Sequence, residues 1–179
     1  MKTYVALLRG INVGGRAKVS MAELRELFAD AGYADAKTYI QSGNVIFGAS
    51  LRSPSRAGTE ISDRIEKDLG VRCSVLLRSD SELVEVFENN PYLAEDVERS
   101  SLYVTFLAKL PSAKEVSQLV VPPGETAELT VVGREVYLHY PDGYGRTKLT
   151  NAYIEKRLGV ATTRNWNTVN KLHELAQSS

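Results

Sequence analysis

Glycines and basic residues stand together where the first apolar strand of the chain ends. Gly10, Gly14 and Gly15 follow Arg9 and precede Arg16. Glycine leaves backbone N–H groups accessible and arginine supplies positive charge, so this combination is typical of a loop that binds a phosphate or a carboxylate. The segment therefore predicts an anion-binding loop.

The spacing Gly10-x-x-x-x-Gly15 is that of a nucleotide-binding P-loop, but the residues that follow differ. Arg16 stands where a P-loop has lysine, and Ala17 stands where it has the Ser or Thr that binds magnesium. This argues against an ATPase and leaves a simpler anion site near the helix that starts at Ser20. Alternatively, the glycines only permit a tight loop whose polar residues satisfy its own backbone.

Two further polar segments have a similar character. One surrounds Ser42-Gly43, and the other combines cations with the rings of Tyr144 and Trp166, on which a base or a sugar can stack. Together with the first loop they give the candidate ligand-binding residues: Arg9, Gly10, Asn12, Gly14, Gly15, Arg16, Lys18, Gln41, Ser42, Asn44, Arg146, Lys148, Arg164, Asn165 and Trp166.

Two of these candidates also have structural interpretations. Trp166, Val169, Leu172 and Ala176 fall at helical spacing on one face, which favours core packing for the tryptophan. Asn165 precedes that helix and is a suitable N-cap. Both residues therefore support a structural role as well as a binding role.

The sequence contains few residues of the types that commonly act in catalysis, and these are widely separated in sequence. His139 and His173 have no Ser or Cys partner by spacing, and no His and Cys cluster has the spacing of metal ligands. The single cysteine, Cys73, falls in an alternating strand pattern and is expected in the core. The sequence therefore predicts no metal site and leaves any reaction and any cofactor open.

Composition is that of an ordinary soluble globular protein. The 179 residues are 43% hydrophobic and 25% charged, enough for one large domain or two small ones. The 22 basic residues balance the 22 acidic ones, with both ends of the chain positive and the middle negative. No apolar run is long enough for a membrane span and no signal peptide precedes the first strand, so a cytoplasmic location is expected.

Periodicity predicts the elements that position the candidate residues. Capping boxes, in which Ser is followed three residues later by Glu, predict helix starts at Ser20, Ser79 and Ser112. In residues 1–79 the element order is that of a split βαβ, or ferredoxin-like, domain. Its predicted elements are strands 3–9, 36–41, 44–48 and 71–78, a two-residue turn at Ser42-Gly43, a helix from Ser20 to Gly32, a loop over 49–58, and a helix through Ile61, Ile65 and Leu69 to Gly70.

Residues 80–179 repeat part of this order without a visible residue-level repeat. After a linking helix, strands are predicted at 101–108, 127–132 and 135–140, and the chain ends in two helical patterns, 148–158 and 165–177, with no evident fourth strand. We therefore predict an α+β fold of two ferredoxin-like subdomains in tandem, residues 1–79 and 80–179, with the second ending in two helices.

The predicted topology brings two of the polar segments together. In a split βαβ sheet the first two strands run parallel, with the third strand between them. The loop after the first strand, residues 10–19, and the turn at residues 41–44 then emerge at the same end, about 10 Å apart. This convergence supports a binding site independently of the residue types.

Three motifs resemble the bacterial domain-of-unknown-function 1697 family. They are LLRGINVGG, TYIQSGNVIF and TTRNWNTVNKL, supported by LLRS, NPY and VTFLA, and the resemblance runs from about residue 3 to residue 176. It implies two ferredoxin-like subdomains in tandem and carries no established activity. The positions that match the family's motifs are Arg9, Gly10, Asn12, Gly14, Gly15, Ser42, Gly43, Asn44, Arg164, Asn165 and Trp166.

Three functions are compatible with the sequence, none of which specifies an oligomeric state. The favoured one is binding of a small anionic, phosphate- or nucleotide-like ligand at the glycine and arginine loops between the two halves, with or without a reaction. The second is binding of RNA or single-stranded nucleic acid on an open sheet face, against which the neutral net charge counts. The third is a structural network in which residues 164–166 dock onto residues 42–44, with a protein as partner. Aromatic candidates for the second function are Tyr4, Tyr39, Phe47, Tyr103 and Phe106.

Overall fold

The computed structural model of the chain describes residues 1–15, 17–94 and 96–178. Within them the fold is α+β, with two four-stranded antiparallel sheets and six α-helices. The strands are β1 (Lys2–Arg9), β2 (Lys37–Tyr39), β3 (Asn44–Ala49), β4 (Ser74–Ser79), β5 (Leu102–Leu107), β6 (Glu128–Val132), β7 (Glu135–His139) and β8 (Ala161–Asn165). The helices are α1 (Met21–Asp30), α2 (Pro54–Leu69), α3 (Asp80–Glu88), α4 (Ala113–Gln118), α5 (Asn151–Leu158) and α6 (Trp166–Gln177).

Contacts between residues divide the described chain into two compact units. Unit 1 contains Met1–Val84 and the chain from Leu172 onward, and unit 2 contains Glu85–Lys171. The division falls within α3, and the C-terminal part of α6 belongs to unit 1. Each unit contains one sheet and its own buried apolar cluster.

The sheet of unit 1 has the order β2-β3-β1-β4, and its neighbouring strands are antiparallel. β1 lies inside the sheet because the run Tyr4–Leu8 is apolar and buried. α1 and α2 contribute Phe28 and Ile65 to the apolar cluster beneath the strands. Gly58 lets α2 lie directly on β4, since a Cβ at that position would be 2.6 Å from the Val75 carbonyl oxygen.

Local signals in the sequence set the starts of the helices. The predicted capping boxes begin α1 after Ser20 and α4 after Ser112. Ser79 and Glu82 exchange the same pair of hydrogen bonds at the start of α3. α2 begins at Pro54, inside the predicted loop, because Ser53 caps it and proline suits the first turn of a helix.

The connection between β2 and β3 is longer than predicted. Tyr39 pairs with Asn44, so the turn comprises residues 40–43 rather than Ser42-Gly43 alone. The turn accommodates the extra residues because Ile40 adopts a φ of 51°. Isoleucine is rare in this region, and therefore no local sequence signal marked the longer turn.

The sheet of unit 2 has the order β6-β7-β5-β8. Its fourth strand, β8, lies between α5 and α6. The two predicted C-terminal helices are therefore present, but the prediction that no fourth strand accompanies them is wrong. The strand has the sequence Ala-Thr-Thr-Arg-Asn, which lacks the alternating large apolar side chains that identify strands. Pairing with β5 holds it, together with a 2.7 Å hydrogen bond between the hydroxyls of Thr105 and Thr163.

The two sheets also correspond in strand order and in pairing register, which the sequence did not reveal. Their strand orders are equivalent, with β1 and β5 in matching positions beside β4 and β8. Val5 pairs with Arg78 in unit 1, and Val104 pairs with Arg164 in unit 2. The equivalence lies in pairing register and helix caps rather than in residue identity. Equivalent connections of the two units can therefore be compared directly.

Candidate functional site

The Gly-rich loop, residues 10–19, connects β1 to α1, and its candidate residue Arg16 lies outside the described part of the chain. The loop folds back as a small hairpin, because the Asn12 N–H donates to the Ala17 carbonyl over 3.0 Å. Gly14-Gly15 has φ angles of 59° and 75°. Positive φ at two consecutive residues is what a type I′ turn requires. Part of the loop's backbone is therefore already hydrogen-bonded within the loop itself.

Asn12 joins the Gly-rich loop to the β2–β3 turn, residues 40–43. Its side-chain amide donates to the Gln41 carbonyl at 2.8 Å and to the Val19 carbonyl at 3.0 Å. Its side-chain oxygen accepts the Val19 N–H at 2.9 Å. The two loops thus meet at the same end of the sheet, as the strand order requires, and one side chain fixes their separation.

Gly43 closes the turn against β1. Its carbonyl accepts the Leu8 N–H at 2.8 Å, and its φ is 78°. A Cβ at this position would be 2.6 Å from Ile11 Cδ1 and 2.8 Å from Leu8 Cβ. Only glycine fits here, for reasons of both conformation and space.

Asn44 and Ser42 belong to the framework of the turn. Asn44 is fully buried, and its side-chain amide donates to the Tyr39 carbonyl at 3.0 Å and to the Ser42 hydroxyl at 2.9 Å. Both candidates therefore shape the turn from within. These contacts give both residues a structural role in the motif that does not depend on a ligand.

Backbone strain is concentrated in these two loops. Within the described chain, the non-glycine residues with positive φ are Asn12 at 53°, Ala17 at 50° and Ile40 at 51°. Asparagine tolerates this conformation, but alanine and especially isoleucine do not. Strain of this kind is enriched at ligand-binding sites, where the surrounding structure enforces it.

Unit 2 makes the same two connections with fewer residues. It joins β5 to the capping box of α4 through residues 108–111, where unit 1 uses residues 10–19. It joins β6 to β7 through Gly133 and Arg134, where unit 1 uses residues 40–43. The sheet and helices therefore do not require the longer loops of unit 1.

An open depression of about 520 Å³ lies where the two loops meet the start of α1. It contains four of the candidate residues, together with Val19 from the end of the loop and the two residues of the α1 capping box. Its lining residues are Asn12, Gly15, Lys18, Val19, Ser20, Glu23 and Gln41. Among the other candidates of unit 1, Arg9 ends β1 opposite Ser74 and does not line the depression.

Two opposite charges line this depression. Lys18 and Glu23 are both exposed. Hydrogen bonds from the Ser20 hydroxyl and the Ser20 N–H hold the pKa of Glu23 below its ordinary value of 4.5, so its carboxylate stays charged at neutral pH. An anion in the depression would be attracted by Lys18 and repelled by Glu23.

The candidates Arg146 and Lys148 lie in unit 2, where Arg146 lines a separate cavity of about 390 Å³. There the carboxylate of Glu125 accepts the Lys148 N–H at 2.9 Å and the Thr147 hydroxyl at 2.7 Å. These hydrogen bonds lower the pKa of Glu125 from its ordinary value of 4.5. The hydrogen bonds of Thr147 and Lys148 therefore stabilise the loop in which these residues lie.

The Glu125 hydrogen bonds predict a pH-dependent contribution to stability. Because the pKa is depressed in the folded state, the contribution is present above about pH 4.5 and is lost as the pH falls through the folded-state value. We expect Glu125→Gln to lower the free energy of unfolding at pH 7, and the difference from wild type to shrink at pH 3. Urea unfolding at both pH values measures this. Thr147→Val, which removes one donor, should show the same trend, and an unchanged difference at pH 3 would contradict the assignment.

The remaining candidates pack within unit 2. Arg164 is 7% exposed, and burial lowers its pKa to about 10. Its guanidinium donates to the Thr162 hydroxyl at 2.7 Å. Asn165 accepts the Asn167 N–H at 2.9 Å in the first turn of α6, and Trp166 is 3% exposed. Trp166 therefore has no open face on which a base could stack.

The described residues contain no cluster of three or more His, Cys, Asp or Glu side chains able to hold a metal. Burial raises the pKa of Cys73 to about 11, so its thiol is protonated and unreactive at neutral pH. His139 Nδ1 lies 3.0 Å from Glu128 Oε2, in a strand of unit 2. Neither Cys73 nor His139 lines the depression at the two loops.

Comparisons with known proteins identify the family. The sequence profile described as "Protein of unknown function (DUF1697)" matches residues 1–137. The chain belongs to the DUF1697 family. The match contains the Gly-rich loop and the β2–β3 turn, whereas the motif at residues 162–172 lies beyond it.

A solved structure extends the similarity of this DUF1697 chain to its full length. The conserved bacterial protein SP0830 from Streptococcus pneumoniae is 25% identical, with a TM-score of 0.71 over 98% of each chain. No curated protein matches the sequence. Among the described residues, no helix is long and apolar enough to cross a membrane.

Proposed function

We propose that the Gly-rich loop and the β2–β3 turn bind a small anionic ligand, carrying a phosphate or a carboxylate, in the depression at Lys18. The observation that carries this proposal is the pair of loops itself. They are longer than their equivalents in unit 2, and they contain all three strained non-glycine residues of the described chain. Loops that are longer than the fold requires, and that hold strained residues, are expected where a rigid scaffold carries a recognition site.

Lys18 supports the choice of an anionic ligand. Lys18 supplies an exposed cation, and Gly15 lines the same depression without a side chain. The carboxylate of Glu23 is already committed to the helix cap, where it accepts the Ser20 N–H at 3.2 Å. A ligand anion therefore pairs with Lys18 rather than with the N-terminus of α1.

Two substitutions of opposite sign test the proposal with inorganic phosphate as the probe. We expect Lys18→Ala to weaken binding about tenfold, since a charge-assisted contact is lost. We expect Glu23→Gln to strengthen binding about threefold, since a like charge is removed while glutamine can still close the capping box. Isothermal titration calorimetry at low salt measures both affinities.

The control is Lys67→Ala, which removes an exposed lysine from the last turn of α2. It should leave the affinity unchanged. If Lys18→Ala bound phosphate as the wild type does, or if Lys67→Ala lost as much affinity, the depression would not be the anion site.

Binding of RNA or single-stranded nucleic acid is the weaker alternative. Tyr4, Phe47 and Phe106 are buried, so they offer no ring to a base. Tyr103 stacks on Tyr144, with ring centroids 4.8 Å apart. The structural alternative, in which residues 164–166 dock onto residues 42–44, stays a prediction, as does a cytoplasmic location.

We also propose that each unit is a ferredoxin-like subdomain. The strand orders β4-β1-β3-β2 and β8-β5-β7-β6 support this, as does the order strand, helix, strand, strand, helix, strand in both. In this arrangement the loops after the first and second strands of unit 1 share one end of the sheet. The proposed ligand site occupies that end.

A further inference from the structure

The capping box of α4 in unit 2 is paired with a lysine of its own loop. Glu115 Oε2 accepts the Ser112 N–H at 2.8 Å, and Glu115 Oε1 accepts the ammonium group of Lys109 at 3.3 Å. Lys109 lies in the connection after β5, the equivalent of the Gly-rich loop in unit 1. These contacts lower the pKa of Glu115 from its ordinary value. The cap carboxylate of unit 2 is therefore neutralised by a neighbouring cation.

The equivalent carboxylate of unit 1, Glu23, is held differently. Its Oε2 accepts the Ser20 N–H at 3.2 Å, as the equivalent oxygen does in unit 2. The hydrogen bonds that lower the pKa of Glu23 all come from Ser20, and no lysine or arginine of the described residues forms an ion pair with this carboxylate. Glu23 therefore presents a full negative charge to the solvent, where its equivalent is paired.

A lysine is present in the loop of unit 1 as well, but it does not pair with the cap. Lys18 and Glu23 both line the depression and are both exposed. The depression therefore offers one positive and one negative group that do not neutralise each other. Inorganic phosphate would pair with Lys18 and would be repelled by Glu23. A ligand that carries a cationic group beside its anionic group would complement both charges.

We propose that the ligand is a zwitterion, an ammonium-bearing phosphate or carboxylate, whose anionic group pairs with Lys18 and whose ammonium group pairs with Glu23. This inference rests on the proposed function and specifies its ligand class. The ammonium group of the ligand contacts Glu23 as the ammonium group of Lys109 contacts Glu115 in unit 2. Glu23 is then a specificity residue, because it selects the cationic group while Lys18 binds the anion.

The test compares phosphoethanolamine with ethyl phosphate as calorimetric probes on the whole chain. The probes differ by one ammonium group, which is charged at about pH 8, where both phosphates are dianions. We expect the wild type to bind phosphoethanolamine about threefold more tightly, the effect of one exposed ion pair. Glu23→Gln should bring this ratio to about one, because it strengthens ethyl phosphate binding about threefold and does not strengthen phosphoethanolamine binding.

Glu115→Gln is the matched control, since it makes the same substitution in the capping box of unit 2, away from the depression. It should leave the affinity for each probe unchanged. Lys18→Ala should weaken the binding of both probes about tenfold and keep their ratio. Glutamine can still close either capping box, so both glutamine variants should melt near the wild-type temperature. A variant that lost its fold would bind neither probe.

The outcomes separate this inference from the proposed function. If the wild type binds ethyl phosphate at least as tightly as phosphoethanolamine, or if Glu23→Gln leaves the ratio unchanged, the ammonium contact is refuted and the anion site stands. Loss of the ratio in Glu115→Gln would also refute the contact. If neither probe nor inorganic phosphate binds the wild type, the anion site and the ammonium contact are both refuted. A ratio that is lost in Glu23→Gln and kept in Glu115→Gln supports the inference.

Discussion

Gly43→Ala is expected to lower the free energy of unfolding by about 2–4 kcal/mol, through strain at positive φ and through overpacking. The added Cβ would lie within 2.8 Å of Leu8 Cβ and of Ile11 Cδ1. These atoms belong to buried residues, so they have little room to move. Urea denaturation followed by circular dichroism measures the loss.

Gly10→Ala is a matched control for this substitution. Gly10 has a φ of 80°, close to the 78° of Gly43, but a Cβ there would meet no atom within 4 Å. It should therefore lose only the conformational part, about 1 kcal/mol. Equal losses for the two variants would show that crowding at Gly43 is relieved by movement of the turn.

Asn12→Ala should lower the free energy of unfolding by about 1–3 kcal/mol and should also loosen the two loops. Alanine keeps the unfavourable φ of 53° and removes the hydrogen bonds to Val19 and Gln41. We expect faster amide hydrogen exchange in the Gly-rich loop and in the β2–β3 turn together. Hydrogen exchange with mass spectrometry, beside urea denaturation, measures both effects.

Two further variants separate the contributions of Asn12. Asn12→Asp keeps the acceptor for the Val19 N–H and cannot donate, so it should lose part of the stability. Asn12→Gly relieves the strain but makes no side-chain hydrogen bond. If Asn12→Gly were as stable as the wild type, strain rather than hydrogen bonding would govern this position.

Much of the fold was predictable because its signals are local. The Ser-x-x-Glu capping boxes fix the start of α1 and of α4, and Gly70 ends α2. β8 was not predictable, since its polar residues gain their burial from pairing with β5 and from packing against α5. The β-strand propensity of a sequence does not include such tertiary stabilisation.

The candidate site was predictable only in part. Strand order foretold the meeting of the two loops, and Asn12 and Gln41 were correctly placed beside each other. The positive φ of Ile40 was not foreseeable, because isoleucine carries no signal for that conformation. Glu23 was assigned to the helix cap and a solvated helix face, although it also lines the depression.

Each unit begins its first loop at the end of a central strand and finishes it at a Ser-x-x-Glu cap. Both endpoints are anchored independently of the residues between them, so the intervening segment can change length without shifting any strand pair. The cost of such a change is mainly chain entropy and grows slowly with length. A scaffold of this kind is evolvable: the first loop of a unit can be lengthened or replaced while the framework of strands and helices stays unaltered.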